Sequence, residues 1–147
     1  MTDRTVLVLG SGGREHALAR ALAADPRVGA GHVAPGNPGM WRWATRHDID
    51  PLDPAAVAGL AREIGSDLVV VGPEAPLLAG VADAVRDAGI ACFGASARAA
   101  RLEGSKQFAK EVMAAAGVPT AASRWCTTPE QVAAALDDFG PPYVGKA

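Results

Sequence analysis

Short, wholly apolar runs alternate with stretches of helical period along most of this chain. Val6-Leu7-Val8-Leu9 has no polar alternation and ends at glycines, which predicts a strand buried on both faces, as in a parallel sheet. Residues 15–24 place Ala17, Leu18, Ala21 and Leu22 on one helical face, and Asp25-Pro26 stops that helix. Residues 28–34 predict a second strand, weakened by Gly29 and Gly31. A loop follows at Pro35-Gly36-Asn37-Pro38-Gly39, and residues 40–47 fit no single element. Asp53 caps a helix over 54–64 with proline at its first position. Residues 67–72 form the clearest strand. Pro73-Glu74-Ala75-Pro76 leads into a helix over 77–88, and residues 90–94 make one more strand. The fold class implied is α/β, an open parallel sheet of Rossmann-like form. Right-handed crossovers collect the strands' carboxyl ends on one edge, where such sheets bind ligands.

The tail follows a different pattern. Residues 97–103 predict a turn or two of helix. Residues 105–116 predict a longer helix with Phe108, Val112 and Met113 on one face, ended by Gly117. A strand is expected over 123–127, a helix over 129–139 capped by Thr128, and the beginning of a strand over 142–147.

Composition narrows the function classes. The chain has 147 residues, 49% hydrophobic and 20% charged, with formal charge −2, which suits one domain, or one and part of a second. It is too apolar for disorder as a whole, and its charge supplies no bulk attraction to nucleic acid or anionic membrane. Cys92 and Cys126 form no CxxC pair, so neither a disulfide scaffold nor a zinc site is expected. The opening apolar run is too short for a signal peptide or a membrane span. A soluble cytoplasmic protein without nucleic-acid or membrane partners is the expectation.

Candidate chemistry sits in the loops after the strands. Gly10-Ser11-Gly12-Gly13 between a strand and a helix lets backbone N–H groups approach an anion, with Arg14 adding a charge-assisted contact. A plain tight turn is the alternative. The dinucleotide fingerprint requires a third glycine where Glu15 stands and an acid at the end of the second strand, where Ala34-Pro35-Gly36-Asn37 has none. Both departures disfavour a nicotinamide-dependent oxidoreductase. Glu74, between Pro73 and Pro76, is placed either to meet sugar hydroxyls or an amine, or to stand solvated at a helix N-terminus. His16 fits a structural hydrogen-bonder better than a catalyst, and His32 and His47 lack metal-ligand spacing. Trp41 and Trp43, with Arg42 and Arg46, suit packing onto the domain better than a base-stacking platform. Lys106 and Lys146 are each either surface lysines or partners of an anion.

Four motifs in order, Gly10-Ser11-Gly12-Gly13-Arg14-Glu15-His16-Ala17, Ala34-Pro35-Gly36-Asn37, Val71-Gly72-Pro73-Glu74-Ala75-Pro76-Leu77 and Leu102-Glu103-Gly104-Ser105-Lys106, resemble the phosphoribosylamine–glycine ligase family of ATP-grasp enzymes. The resemblance implies a pre-ATP-grasp domain over 1–103, and a linker helix with the incomplete start of an ATP-grasp domain over 104–147. It implies ligation of glycine to 5-phosphoribosylamine, giving glycinamide ribonucleotide, ADP and phosphate in purine biosynthesis. By motif, Gly10, Gly12, Gly13, Arg14, Glu15, Asn37, Pro73 and Glu74 would bind the phosphoribosylamine, and Lys106 and Lys146 the nucleotide. ATP is the implied co-substrate, with magnesium or manganese held by ligands outside this chain, so no catalytic or metal-binding residue is assigned here. Gly145 departs from the β-branched residue usual in that family. The remainder of the enzyme is the implied partner, and the chain alone is expected to lack ligase activity. A non-catalytic ribose-phosphate-binding module is the alternative.

Overall fold

The computed structural model describes residues 3–145. The chain divides into two compact units, Met1–Ser105 and Lys106–Ala147. The first runs β1 (Arg4–Gly10), α1 (Gly13–Ala23), β2 (Val28–Pro35), β3 (Thr45–Arg46), α2 (Pro54–Glu63), β4 (Leu68–Val71), α3 (Glu74–Leu78), α4 (Val81–Asp87), β5 (Ala91–Phe93) and α5 (Ala97–Gly104). The second contains α6 (Lys106–Ala115) and α7 (Pro129–Phe139).

All five strands pair in parallel in the order β3-β2-β1-β4-β5. β1 is central because it is apolar on both faces. Leu7 and Leu9 join Val69 and Val71 against Val57, Leu60 and Ala61 of α2 and Val81 and Val85 of α4. Val6 and Val8 face the other way, with Val70, Val33 and Ala19 of α1. A slip of one residue would exchange the two faces, so the double burial fixes the register. Each fully buried side chain contributes roughly 1.5–3 kcal/mol. Met40, from the stretch without a clear sequence pattern, is fully buried in the α1-side cluster. At the amino end of the sheet, the Asp67 carboxylate accepts from Thr5 N and from Arg4, and these two bonds hold its pKa below the ordinary value.

The helix expected over 77–88 is two helices. The turn after β4 is itself helical from Glu74, with Pro76 tolerated because it lies in the first turn. Gly80, at φ +90°, ends α3 and begins α4 in a conformation other residues disfavour. The short helix before Lys106 extends through Gly104, and Lys106 is the first residue of α6 rather than one residue inside it.

In the second unit, α7 is capped as expected, with Thr128 Oγ1 accepting from Gln131 N. The strand expected over 123–127 does not form. Val118-Pro119 interrupts the chain before it, and local contacts hold the segment instead: Lys110 Nζ donates to Thr120 Oγ1 and Ala121 O, and Gln131 Oε1 accepts from Thr127 N. Residues 142–145 are likewise not a strand, and Lys146 lies outside the described residues.

Candidate functional site

The site begins with strand order. The chain leaves β1 for β2 on one side and later returns to place β4 on the other. α1 packs on one face of the sheet, while Leu77 of α3 and the residues of α4 pack on the opposite face. Their connections diverge at the carboxyl ends of β1 and β4 and leave the crevice that open α/β sheets use for ligands.

Gly10 ends β1 at φ +122°, and Gly12 is the N-cap of α1. Gly12 N donates to Glu15 Oε2 at 2.7 Å, and the first intrahelical bond runs from His16 N to Gly12 O. With Gly12 N bonded to Glu15, the amides of Gly13, Arg14 and Glu15, in the first turn, are those the helix leaves without intrahelical acceptors. A Cβ built on Gly13 meets nothing within 4 Å, so this glycine opens onto free space.

Two other loops converge on this turn. Gly36 N donates to Gly10 O, which carries the β1–β2 pairing one step further. Asn37 Nδ2 donates to Ser11 O at 2.9 Å, while its Oδ1 accepts from Gly39 N at 3.0 Å and lies 3.2 Å from His16 Nδ1. His16 meets Trp43 edge-on, ring centroids 5.2 Å apart, and a side chain at Gly39 would collide with its ring. His16 is therefore a hydrogen-bonded structural residue. Arg14 Nη1 donates to Gly72 O at 3.0 Å, linking the turn to the β4–α3 connection. Pro73 is the N-cap of α3, and its ring closes on Gly10. Glu74, first in α3, is exposed.

Gly10, Gly12, Gly13, Arg14, Asn37, Pro73 and Glu74 thus share one edge of the sheet. Glu15 belongs to the same turn, but its carboxylate is turned inward and only 5% exposed. Lys106 is in the second unit and Lys146 is outside the described residues. Gly72, which sequence reasoning did not single out, accepts the Arg14 guanidinium and approaches Glu15 too closely for a Cβ. Its signal was a glycine after a buried apolar run and before proline.

Trp43 and Trp41 each also lie beside an arginine: Arg42 is 4.5 Å from the centre of Trp43, and Arg46 is 5.1 Å from that of Trp41. His32 Nδ1 is 2.9 Å from His47 Nε2, so one nitrogen donates and the other accepts. Burial, and next the His47 charge, lower the pKa of His32. Among the described residues no group of three or more His, Cys, Asp or Glu is placed to hold a metal ion. No described helix is long and apolar enough to cross a membrane.

Residues 4–103 match the family model described as "Phosphoribosylglycinamide synthetase, N domain". The phosphoribosylamine–glycine ligase of Streptomyces coelicolor is 64% identical over 141 residues, covering 96% of this chain and 34% of the relative. That of Mycobacterium tuberculosis is 61% identical over 137 residues, covering 93% and 32%. The crystal structure of phosphoribosylamine–glycine ligase from Thermotoga maritima superposes with TM-score 0.70 at 31% identity, over 94% of this chain and 31% of that one. The biotin carboxylase domain of a Hydrogenobacter thermophilus carboxylase superposes with TM-score 0.68 at 21% identity, over 97% and 34%, a likeness of fold alone. The chain spans about a third of the length of the curated relatives it matches.

Proposed function

The chain belongs to the phosphoribosylglycinamide synthetase N-domain family, and from that membership we propose that it supplies the phosphoribosylamine-binding part of an ATP-dependent ligase. The reaction joins the carboxyl of glycine to the amine of 5-phosphoribosylamine, with ADP and phosphate as the other products. The observation that carries this reading is the turn itself. Gly13, Arg14 and Glu15 carry the first-turn amides beside the carboxyl ends of β1 and β4, and Gly13 has open space where a side chain would stand.

In this reading the ligand's phosphate sits on the Gly13 and Arg14 amides, with the Arg14 guanidinium, anchored on Gly72 O, closing over it. Gly10 and Gly12 leave room for the Glu15 side chain behind the turn, and Pro73 packs against Gly10. Glu74 extends from the neighbouring loop toward the ribose hydroxyls and the amine, where a carboxylate accepts hydrogen bonds from the sugar or pairs with the amine. Asn37 bounds the sugar side. The substrates are small molecules, and the setting is the cytoplasm. Lys106 belongs to the nucleotide's side of the reaction, and Lys146 is assigned there with it by motif alone. When bound, ATP supplies the acyl-phosphate activation of glycine. The described residues offer no carboxylate cluster to fit magnesium, so no step here runs through that ion.

Calorimetric titration with ribose 5-phosphate and, separately, with NADH tests the assignment. Ribose 5-phosphate is expected to bind and NADH not to. Arg14→Ala is expected to weaken the former by about 2 kcal/mol, the size of a charge-assisted hydrogen bond. Absence of ribose 5-phosphate binding, or equal binding of NADH, refutes the reading.

A further inference from the structure

We propose that Glu15 is a positioning residue of the phosphate seat: its buried carboxylate takes the Gly12 amide away from the ligand and fills the gap behind the turn, leaving the backbone amides of Gly13, Arg14 and Glu15 itself to meet a single phosphate group. The proposal rests on the ribose-phosphate reading above. Motif carry-over would make Glu15 a substrate contact; its surroundings assign it elsewhere. The residue is 5% exposed, and Oε2 accepts from Gly12 N at 2.7 Å. Three glycines from two loops surround the side chain. A Cβ at Gly10 would lie 2.7 Å from Glu15 Cγ, one at Gly12 would lie 2.8 Å from Oε2, and one at Gly72 would collide with Oε1. The Gly12 amide satisfies Oε2 where it stands.

This arrangement gives physical content to the broken fingerprint. In dinucleotide-binding turns the third glycine lets the helix and strand close up, and the second lets the pyrophosphate approach the backbone. Here a side chain occupies the third position, and the close approach passes to Gly10 and Gly72. The amide of Gly12 is already bonded. A monophosphate fits the remaining donors.

The test compares Glu15→Gln, which keeps an acceptor for Gly12 N, with Glu15→Ala, which does not. Affinity for ribose 5-phosphate is read by calorimetry and the Gly12 amide proton by NMR. Glu15→Gln is expected to bind within about threefold of wild type, and Glu15→Ala to bind about tenfold more weakly, while its Gly12 amide resonance moves upfield as the bond is lost. A merely structural role would lower thermal stability in both variants without separating their affinities. Loss of binding in Glu15→Gln equal to that in Glu15→Ala overturns the proposal, because the charge would then contact the ligand directly. Wild-type affinity in Glu15→Ala overturns it as well. Should Glu15→Ala not fold, Glu15→Gln against wild type decides alone. Should wild type not bind ribose 5-phosphate, the ligand reading fails separately. The Gly12 resonance then decides the positioning role: it stays in place with Gln and shifts with Ala if the role is correct, and is unmoved by either if not.

Discussion

Replacing Asn37 by alanine isolates the tie between two loops of the site. The wild-type side chain donates to Ser11 O at 2.9 Å, accepts from Gly39 N at 3.0 Å and lies 3.2 Å from His16 Nδ1. A typical hydrogen bond contributes about 0.5–1.5 kcal/mol net, and water reaches these partly buried partners once the side chain is gone. The longest of the three counts least, which puts the total near 2 kcal/mol. For a unit of this size that corresponds to a fall in Tm of roughly 10 °C. The loss also frees the Ser11 carbonyl and releases His16 from its partner beside Trp43, so ribose 5-phosphate affinity falls by about tenfold as the turn loses its fixed geometry. Urea unfolding followed by tryptophan fluorescence gives the stability, and calorimetry the affinity. Asn37→Asp supplies the control. It retains the acceptor for Gly39 and His16 but loses the donor to Ser11, and is expected to lose about half as much stability. A change in Asn37→Ala below about 0.5 kcal/mol with unaltered affinity would show that these bonds do not hold the turn.

Two further outcomes follow from the fold. Met40→Ala empties a fully buried position in a segment that fits no single element by sequence, and is expected to cost about 2–5 kcal/mol; an unfolding midpoint close to wild type would remove Met40 from the core. His32 has a folded-state pKa below its ordinary 6.5, because burial and His47 disfavour its charged form. The unfolded chain therefore takes up this proton first as the pH falls. The contribution to stability is present above about pH 6.5 and is lost as the pH drops from there toward the depressed folded value. Urea midpoints between neutral and mildly acidic pH should fall more steeply for wild type than for His32→Asn, and parallel curves would contradict this.

What the chain determines locally, it determines well. Val6-Leu7-Val8-Leu9 has apolar residues at every position, so the strand must be covered on both faces, and α1 covers one while α2 and α4 cover the other. The glycine turn, the Asp53 and Thr128 caps and the mismatch at Glu15 are likewise matters of residue type and spacing, legible without coordinates. Strand order is not. Nothing in the apolar run at 68–71 says that it pairs with β1 on the side away from β2. Yet that choice creates the crevice and brings Gly72, Pro73 and Glu74 to the first turn. The roles of Glu15 and Asn37 were hidden for the same reason. A motif marks them as polar residues near a ligand, but their partners, Gly10 and Gly72 around one and Ser11, His16 and Gly39 around the other, are largely set by pairing distant segments. Backbone preference and hydrophobic period act over a few residues, whereas the direction of a buried carboxylate is decided by which loops the sheet carries to it.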